Sequence, residues 1–201
     1  MMRLGLVCAA VALPLAATAA NVMLTEVTGV TVNGVTGVLR DGSPWAGALP
    51  PAALSTLHDG SFLATGTDWT NGTVWWDEMA FPTAPNPVTI EFQLSGLFTL
   101  ERFVVQGDDN EAYHVDWWDG SDWQSAFTAP AVNTYGMETR DSGLLAAITT
   151  DRLRLRASGG DFYYAVSEIQ AFTANQNVPE PGSLALAGAA LALALARRRR
   201  A

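Results

Sequence analysis

The chain of 201 residues carries a formal net charge of −9, is 49% hydrophobic and 15% charged, and contains a single cysteine. Residues 22–173 concentrate the acidity, with six arginines, no lysine and 19 acidic residues for a formal charge of −13; such a field disfavours nucleic acid and anionic lipid surfaces as partners. That charge is compatible with cation binding, a neutral polysaccharide partner, or solubility alone, and one thiol excludes a disulfide framework.

The stretch MMRLGLVCAAVALPLAATAA has Arg3, an apolar run from Leu4 to Ala17 and small residues at Ala17, Thr18 and Ala19. These are the three parts of a secretory signal peptide over residues 1–20, cut by signal peptidase. Cys8 leaves with it, and the bulky Val7 before it argues against lipidation. The mature chain is then held together without thiols, by core burial with or without a metal. Residues 21–173 are long enough for one domain with its own core.

Inside that region the hydrophobic period is two. Val88, Ile90, Phe92 and Leu94 share one face of a strand and Thr89, Glu91 and Gln93 the other, and residues 98–105 are apolar enough for a strand buried on both faces. Asp108, Asp109, Asn110 and Glu111 form an acidic cluster better explained as a solvated loop than as a metal loop. Asp119-Gly120 lies between Tyr113–Trp118 and Trp123, a strong hairpin signal. An EF-hand over the same stretch fails, because Trp118 falls on the third ligand position and Phe127 on the twelfth. Leu153 and Leu155 alternate with Arg154 and Arg156, and no amphipathic helix precedes residue 183. Many short strands punctuated by Gly, Asp, Asn and Pro predict an all-β sandwich or barrel.

Trp69, Trp75, Trp76, Trp117, Trp118 and Trp123 are dense for one domain. A strand points the two rings of an adjacent pair to opposite faces, so Trp75, Trp76, Trp117 and Trp118 are the candidate ligand platform, with Asp68, Asp77 and Asn110 as hydrogen-bonding neighbours for a sugar. The alternative is that these rings form the core. His58 and His114 are the only histidines; neither has a nucleophile partner visible in sequence, and no metal-hydrolase motif is present. Both are expected to be structural. A pair of glycosidase carboxylates has no sequence spacing by which to be seen, and the expectation is a protein without catalytic residues.

The segments HDGSFLATGTDW (58–69), LERFVVQGDDNEAYHVDWWDGSDW (100–123) and RLRLRASGGDFYYAVSEIQAF (152–172), in that order, resemble the discoidin (F5/8 type C), or galactose-binding-like, domain. The resemblance implies a jelly-roll β-sandwich over residues 21–173, of the kind common among carbohydrate-binding modules. It also implies that the Asp-Gly loop and the last strand meet around a structural Ca²⁺, with Asp59, Ser61, Thr67 and Glu168 as ligands. Calcium takes six to eight oxygens, so backbone carbonyls would complete the set; the alternative is a turn shaped by Asp59-Gly60 with Glu168 hydrogen-bonded. The sequence departs from the family in having no terminal cysteine pair and in placing Ser61 where Asp or Asn often follows the Asp-Gly.

After a short linker at 174–177 comes VPEPGSLALAGAALALALARRRRA. Residues 182–196 carry no charge and as a helix span roughly 22 Å of a hydrocarbon core about 30 Å thick, a weak transmembrane segment oriented by Arg197–Arg200 remaining cytoplasmic. Pro179 and Pro181 keep the backbone extended before it. Residues 178–201, with Val178, Pro179, Glu180 and Pro181 at their head, resemble the PEP-CTERM sorting signal, which implies processing by the membrane protease exosortase in a Gram-negative bacterium that makes extracellular polysaccharide. The whole sequence predicts an exported, non-catalytic carbohydrate-binding module at the cell surface or in the matrix; a purely structural matrix component ranks second and a secreted hydrolase third.

Overall fold

The computed structural model describes residues 19–34, 39–40, 52–78 and 87–174. Residues 1–18 of the expected signal peptide, the linker from 175 onward, the sorting signal and the 182–196 segment lie outside these residues. Eight strands follow one helical turn, α1 (Val22–Thr25): β1 (Val27–Asn33), β2 (Val74–Asp77), β3 (Thr89–Gly107), β4 (Ala112–Trp118), β5 (Trp123–Ala129), β6 (Glu138–Asp141), β7 (Ile148–Ser158) and β8 (Tyr163–Thr173), with a short 3₁₀ turn at Leu54–His58 between β1 and β2. Among the described residues no helix is long and apolar enough to cross a membrane.

The 88–94 alternation and the 98–105 apolar run, two strands in the sequence, are one strand of 19 residues. Its first half pairs with β1 (Val30↔Phe92) and β7 (Phe92↔Leu153), its second with β8 (Val105↔Ile169) and β6 (Val105↔Arg140), all antiparallel. Register shifts between Gln93 and Phe98 and again between Leu100 and Arg102 mark the bend that transfers the strand from one layer to the other. One layer is therefore β1-β3-β7-β4-β5 and the other β2-β8-β3-β6. This is the predicted jelly-roll sandwich.

Alternation decides what fills it. Ile90, Phe92, Leu153, Leu155 and Val115 from the first layer meet Phe103, Val105, Val166, Ile169 and Trp76 from the second in one cluster, each 0–1% exposed; full burial of such a side chain stabilises by roughly 1.5–3 kcal/mol. The β4–β5 hairpin turns where the sequence places it. Gly120 has φ +102°, and the Asp119 carboxylate accepts from the Ser121 and Asp122 amides, both at 2.8 Å, which closes the four-residue connection.

A second, smaller cluster lies on the outer side of β2 and β8, where Trp75, Met137 and Ala165 pack with Leu63, Trp69 and Tyr163. The chain is pinned there by Gln106, which is fully buried: its Oε1 accepts from the Leu63 amide at 2.7 Å and Ser167 Oγ at 2.6 Å, and its Nε2 donates to Leu63 O and Thr139 Oγ1. This second layer of cover positions the loops described next.

Candidate functional site

Four connections meet beside the small cluster: the 64–72 segment, the β3–β4 loop, the β5–β6 loop and the β7–β8 turn. Backbone bonds tie them together. Gly66 N donates to Met137 O and Met137 N to Thr67 O, at 3.0 and 2.8 Å, while Val132 and Asn133 both donate to Asp109 O. Gly136 has φ +67°, and a Cβ there would collide with Thr67 O, so this close crossing requires glycine. Asn133 adopts φ 54°, the left-handed region that asparagine tolerates.

The connections enclose an open cavity of about 360 Å³ whose walls include Trp69, Tyr135, Asp68, Asp108, Asp109, Asn110, Asn133, Thr134 and Asp161. Trp69 is held edge-on to Trp75 at 5.6 Å and tilted against Tyr163 at 5.7 Å. Tyr135, 66% exposed, stands at the rim with its hydroxyl 3.5 Å from Asp68 Oδ2. Hydrogen bonds from the Thr70 hydroxyl and amide to Asp68 Oδ1, at 2.6 and 2.9 Å, hold the Asp68 carboxyl below its ordinary pKa, so this wall is anionic at neutral pH.

Beneath the cavity the acids behave differently. Asp108 is 5% exposed and Glu111 fully buried; burial is the main reason their pKa values rise to about 6 and about 8, with repulsion from Asp109 and Asp161 adding to the first and from Asp108 and Asp161 to the second. Tyr113 Oη accepts from the Asp108 and Ala165 amides and donates to Glu111 Oε2. Arg140, 6% exposed, donates through Nε to Pro130 O, through Nη1 to Gly107 O and Glu138 O, and through Nη2 to Asp108 O and Glu111 O. All five guanidinium donors thus bind main-chain carbonyls and lock the loops, leaving none for a carboxylate. The 108–111 cluster, expected as a solvated loop, has two of its four side chains in the interior; the reason is Tyr113 and Arg140, which anchor it from below.

Burial corrects the tryptophan platform. Trp75 and Trp76 are 3% and 0% exposed. Trp76 enters the main core against Tyr164 at 5.5 Å, and Trp75, pointing the other way as a strand requires, is covered by the small cluster and by the Arg40 guanidinium 5.0 Å from its ring. Neither ring can face a ligand. Trp117 packs against the main core. Trp118 stands on the outer face, edge-on to Trp123 at 5.5 Å with Arg152 4.4 Å over it. In addition, β2 and β4 lie on different layers with β8, β3 and β7 between them in the ladder, so the two pairs do not form one platform. Of the proposed polar neighbours, Asp68 and Asn110 line the cavity, whereas Asp77 pairs with Arg40 at 2.6 Å.

Asp59 and Glu168 are brought together. Glu168, fully buried, accepts from Gly60 N through Oε1 at 3.1 Å. Burial chiefly raises its pKa to about 7, with Asp59 contributing, and Oε2 has no hydrogen-bond partner. Ser61 donates its amide to Asp59 Oδ1, and the Thr67 hydroxyl donates to Ala64 O. An orphaned, buried carboxylate oxygen beside a second acid fits a hard cation, although among the described residues no three His, Cys, Asp or Glu side chains close on one point.

His58 is structural, with Nδ1 3.0 Å from Met23 O and its ring edge-on to Phe92. His114 does meet a hydroxyl that the sequence could not reveal: cross-strand pairing sets Ser158 Oγ 2.8 Å from Nε2. Its other nitrogen faces Thr128 Oγ1 rather than a carboxylate, and burial and then Arg156 lower its pKa. An imidazolium is disfavoured there, which makes the pair a poor base–nucleophile couple.

Residues 177–200 match the PEP-CTERM protein-sorting motif. No curated protein matches the chain. Among solved structures, the family 32 carbohydrate-binding module of C. perfringens NanJ in complex with galactose aligns at 10% identity and a TM-score of 0.46, over 77% of this chain and 99% of its own. The family 32 module of Streptococcus pneumoniae EndoD aligns at 13% and 0.47, over 77% and 100%. A chain described as SpGH29 aligns at 14% and 0.45, over 77% of this chain, which spans only 28% of that protein. The likeness is one of fold alone.

Proposed function

We propose that this is an exported, exosortase-sorted carbohydrate-binding module without catalytic function, which takes glycan chains of extracellular polysaccharide into the loop cavity. The observation that carries the binding reading is the composition of that cavity: Trp69 and Tyr135 offer aromatic faces beside Asp68, Asp109, Asn110 and Asn133, the combination of stacking surface and fixed polar groups that orients a sugar. Signal peptidase removes residues 1–20; exosortase acts at Val178–Pro181, the 182–196 segment holding the precursor in the inner membrane until then. A structural Ca²⁺ at Asp59, Ser61, Thr67 and Glu168 completes the reading.

Retention of the protein, purified from its host, on that host's own polysaccharide tests the binding. Wild type is expected to be retained, and Trp69→Ala to lose retention. Absence of retention on any glycan of an array would move the protein to the matrix-structural reading. The hydrolase reading draws on Asp108, with its raised pKa, sharing a cavity with the ionised Asp68; release of reducing sugar from the polysaccharide would establish it. For the structural calcium, a saturating hundredfold excess over Kd adds about 2.7 kcal/mol, so EDTA should lower Tm, and identical melting curves with and without chelator would remove the ion.

A further inference from the structure

We propose that a hard divalent cation of the calcium class binds at the floor of the loop cavity, held by Asp108 Oδ1, Asn110 Oδ1 and Glu111 Oε1. This place is distinct from the Asp59–Glu168 pair. The primary observation is an imbalance of hydrogen bonding. These three side-chain oxygens are buried and have no partner, whereas buried polar atoms are ordinarily satisfied. Asp108 and Glu111 are each at least nine-tenths buried, and the Asp108 side chain lines the cavity together with Asn110.

The second observation is that the nearby positive charge makes no hydrogen bond to either carboxylate. Arg140 is the guanidinium beside these acids, with Nη2 donating to the carbonyls of Asp108 and Glu111, and its five donors are all committed to main-chain oxygens. Glu111 Oε2 receives Tyr113 Oη at 3.3 Å; Oε1 is pressed against Gly160, where a Cβ would overlap it. Gly160, at φ +62°, thus leaves room for that carboxylate and adds a backbone wall beside Asp161. Two buried carboxyls that receive no guanidinium hydrogen bond either keep a proton or take a metal; one cation can satisfy all three open oxygens at once, whereas a carboxyl proton satisfies a single acceptor.

Two carboxylates and one amide leave a calcium ion short of its six to eight oxygens. The remaining positions open toward the cavity and fall to water, with Asp161 on the cavity wall adding negative charge nearby but not closing on the same point. If the glycan reading above holds, a vicinal pair of sugar hydroxyls fits those positions, and the ion would then bridge protein and ligand. That last step rests on the proposed function; binding of the ion alone does not.

The test therefore uses calcium without glycan, titrated calorimetrically into the full-length protein, with terbium luminescence sensitised by tryptophan as the second readout. Glu168→Gln removes the other candidate site and provides the background. In that background one calcium is expected to bind, and adding Asp108→Asn or Glu111→Gln should weaken it at least tenfold while circular dichroism remains folded. Should either double variant fail to fold, Asp161→Asn in the same background is expected to weaken binding by a smaller factor. No heat and no luminescence in Glu168→Gln would overturn the proposal, as would a double variant that binds as tightly as Glu168→Gln. Glycan retention is then measured with calcium and with EDTA. Retention lost in EDTA extends the ion's role to the sugar, whereas calcium bound but retention unchanged keeps the cation site and removes only the bridge.

Discussion

Two adjacent tryptophan pairs, Trp75-Trp76 on β2 and Trp117-Trp118 on β4, begin from the same strand geometry and end in different environments. On β2 both rings are buried, Trp76 within the main core and Trp75 because Leu63, Trp69 and Met137 fold back over the outer side of the layer. On the outer side of β4 the contacts among the described residues are between side chains. Trp118 packs edge-on to Trp123 beneath Arg152, and Trp123 lies under Arg154 at 4.5 Å. Acids follow the same division. Asp116 on β4 is 3% exposed but bonded to Arg154 and Arg156 at 2.7 and 2.9 Å, while Asp108 and Glu111 under the covered loops have no such partner. Strand alternation fixes which way a side chain points; what lies above it decides whether it is interior, and whether a charge there finds its opposite.

The largest test of this contrast is truncation. Trp76→Ala should cost about 3–5 kcal/mol in denaturant unfolding, and Trp75→Ala a comparable amount if the outer cluster is as well packed as the core. A loss below about 1 kcal/mol for Trp75→Ala would mean that its cover is loose.

Next in size is the response to pH, measured in chelator so that no metal competes. Folded Glu111, Glu168 and Asp108 hold protons up to about pH 8, 7 and 6, whereas in the unfolded chain carboxyls release them near pH 4. At these three sites the folded state therefore binds more protons between these limits, so their contribution to stability is full below about pH 4 and is lost as pH rises through 6 to 8, by roughly 1.4 kcal/mol per unit of pKa difference at full burial. Tm should be lower at pH 8 than at pH 5, and Glu111→Gln should flatten the slope. A Tm that rises over this interval would mean the acids are ionised and paired.

Smaller still, Trp118→Ala should cost about 1 kcal/mol, the scale of one cation–π contact and one aromatic pair at a half-exposed site. Least of all in stability, Tyr135→Ala should remain within about 0.5 kcal/mol of wild type yet lose glycan retention, which separates a rim residue from a buried one.

Much of the fold was legible because it depends on alternation. The Val88–Leu94 face, the Leu153/Leu155 pair and the Asp119-Gly120 turn all appear in place, each set by local residues. The cavity was legible only in fragments. Asp68 and Asn110 stood out as polar neighbours of aromatic residues, but Tyr135, Asn133 and Asp161 carry no spacing that links them, since main-chain bonds such as Val132 N to Asp109 O join segments with no common period. The burial of Trp75 was hidden for the same reason: its cover comes from loops. The fusion of the two predicted strands into β3 could not be seen, because residues 95–97, Ser-Gly-Leu, break the alternation where the register shifts between Gln93 and Phe98.

The bend in β3 has a consequence for how the sandwich opens. Because one continuous strand supplies hydrogen-bonded neighbours to both layers, neither layer can detach without stripping amides from the other. The molecule has no weak seam between its halves. Native-state hydrogen exchange should find the amides of β7 and β8 released together in a single global event, as one cooperative unit rather than two.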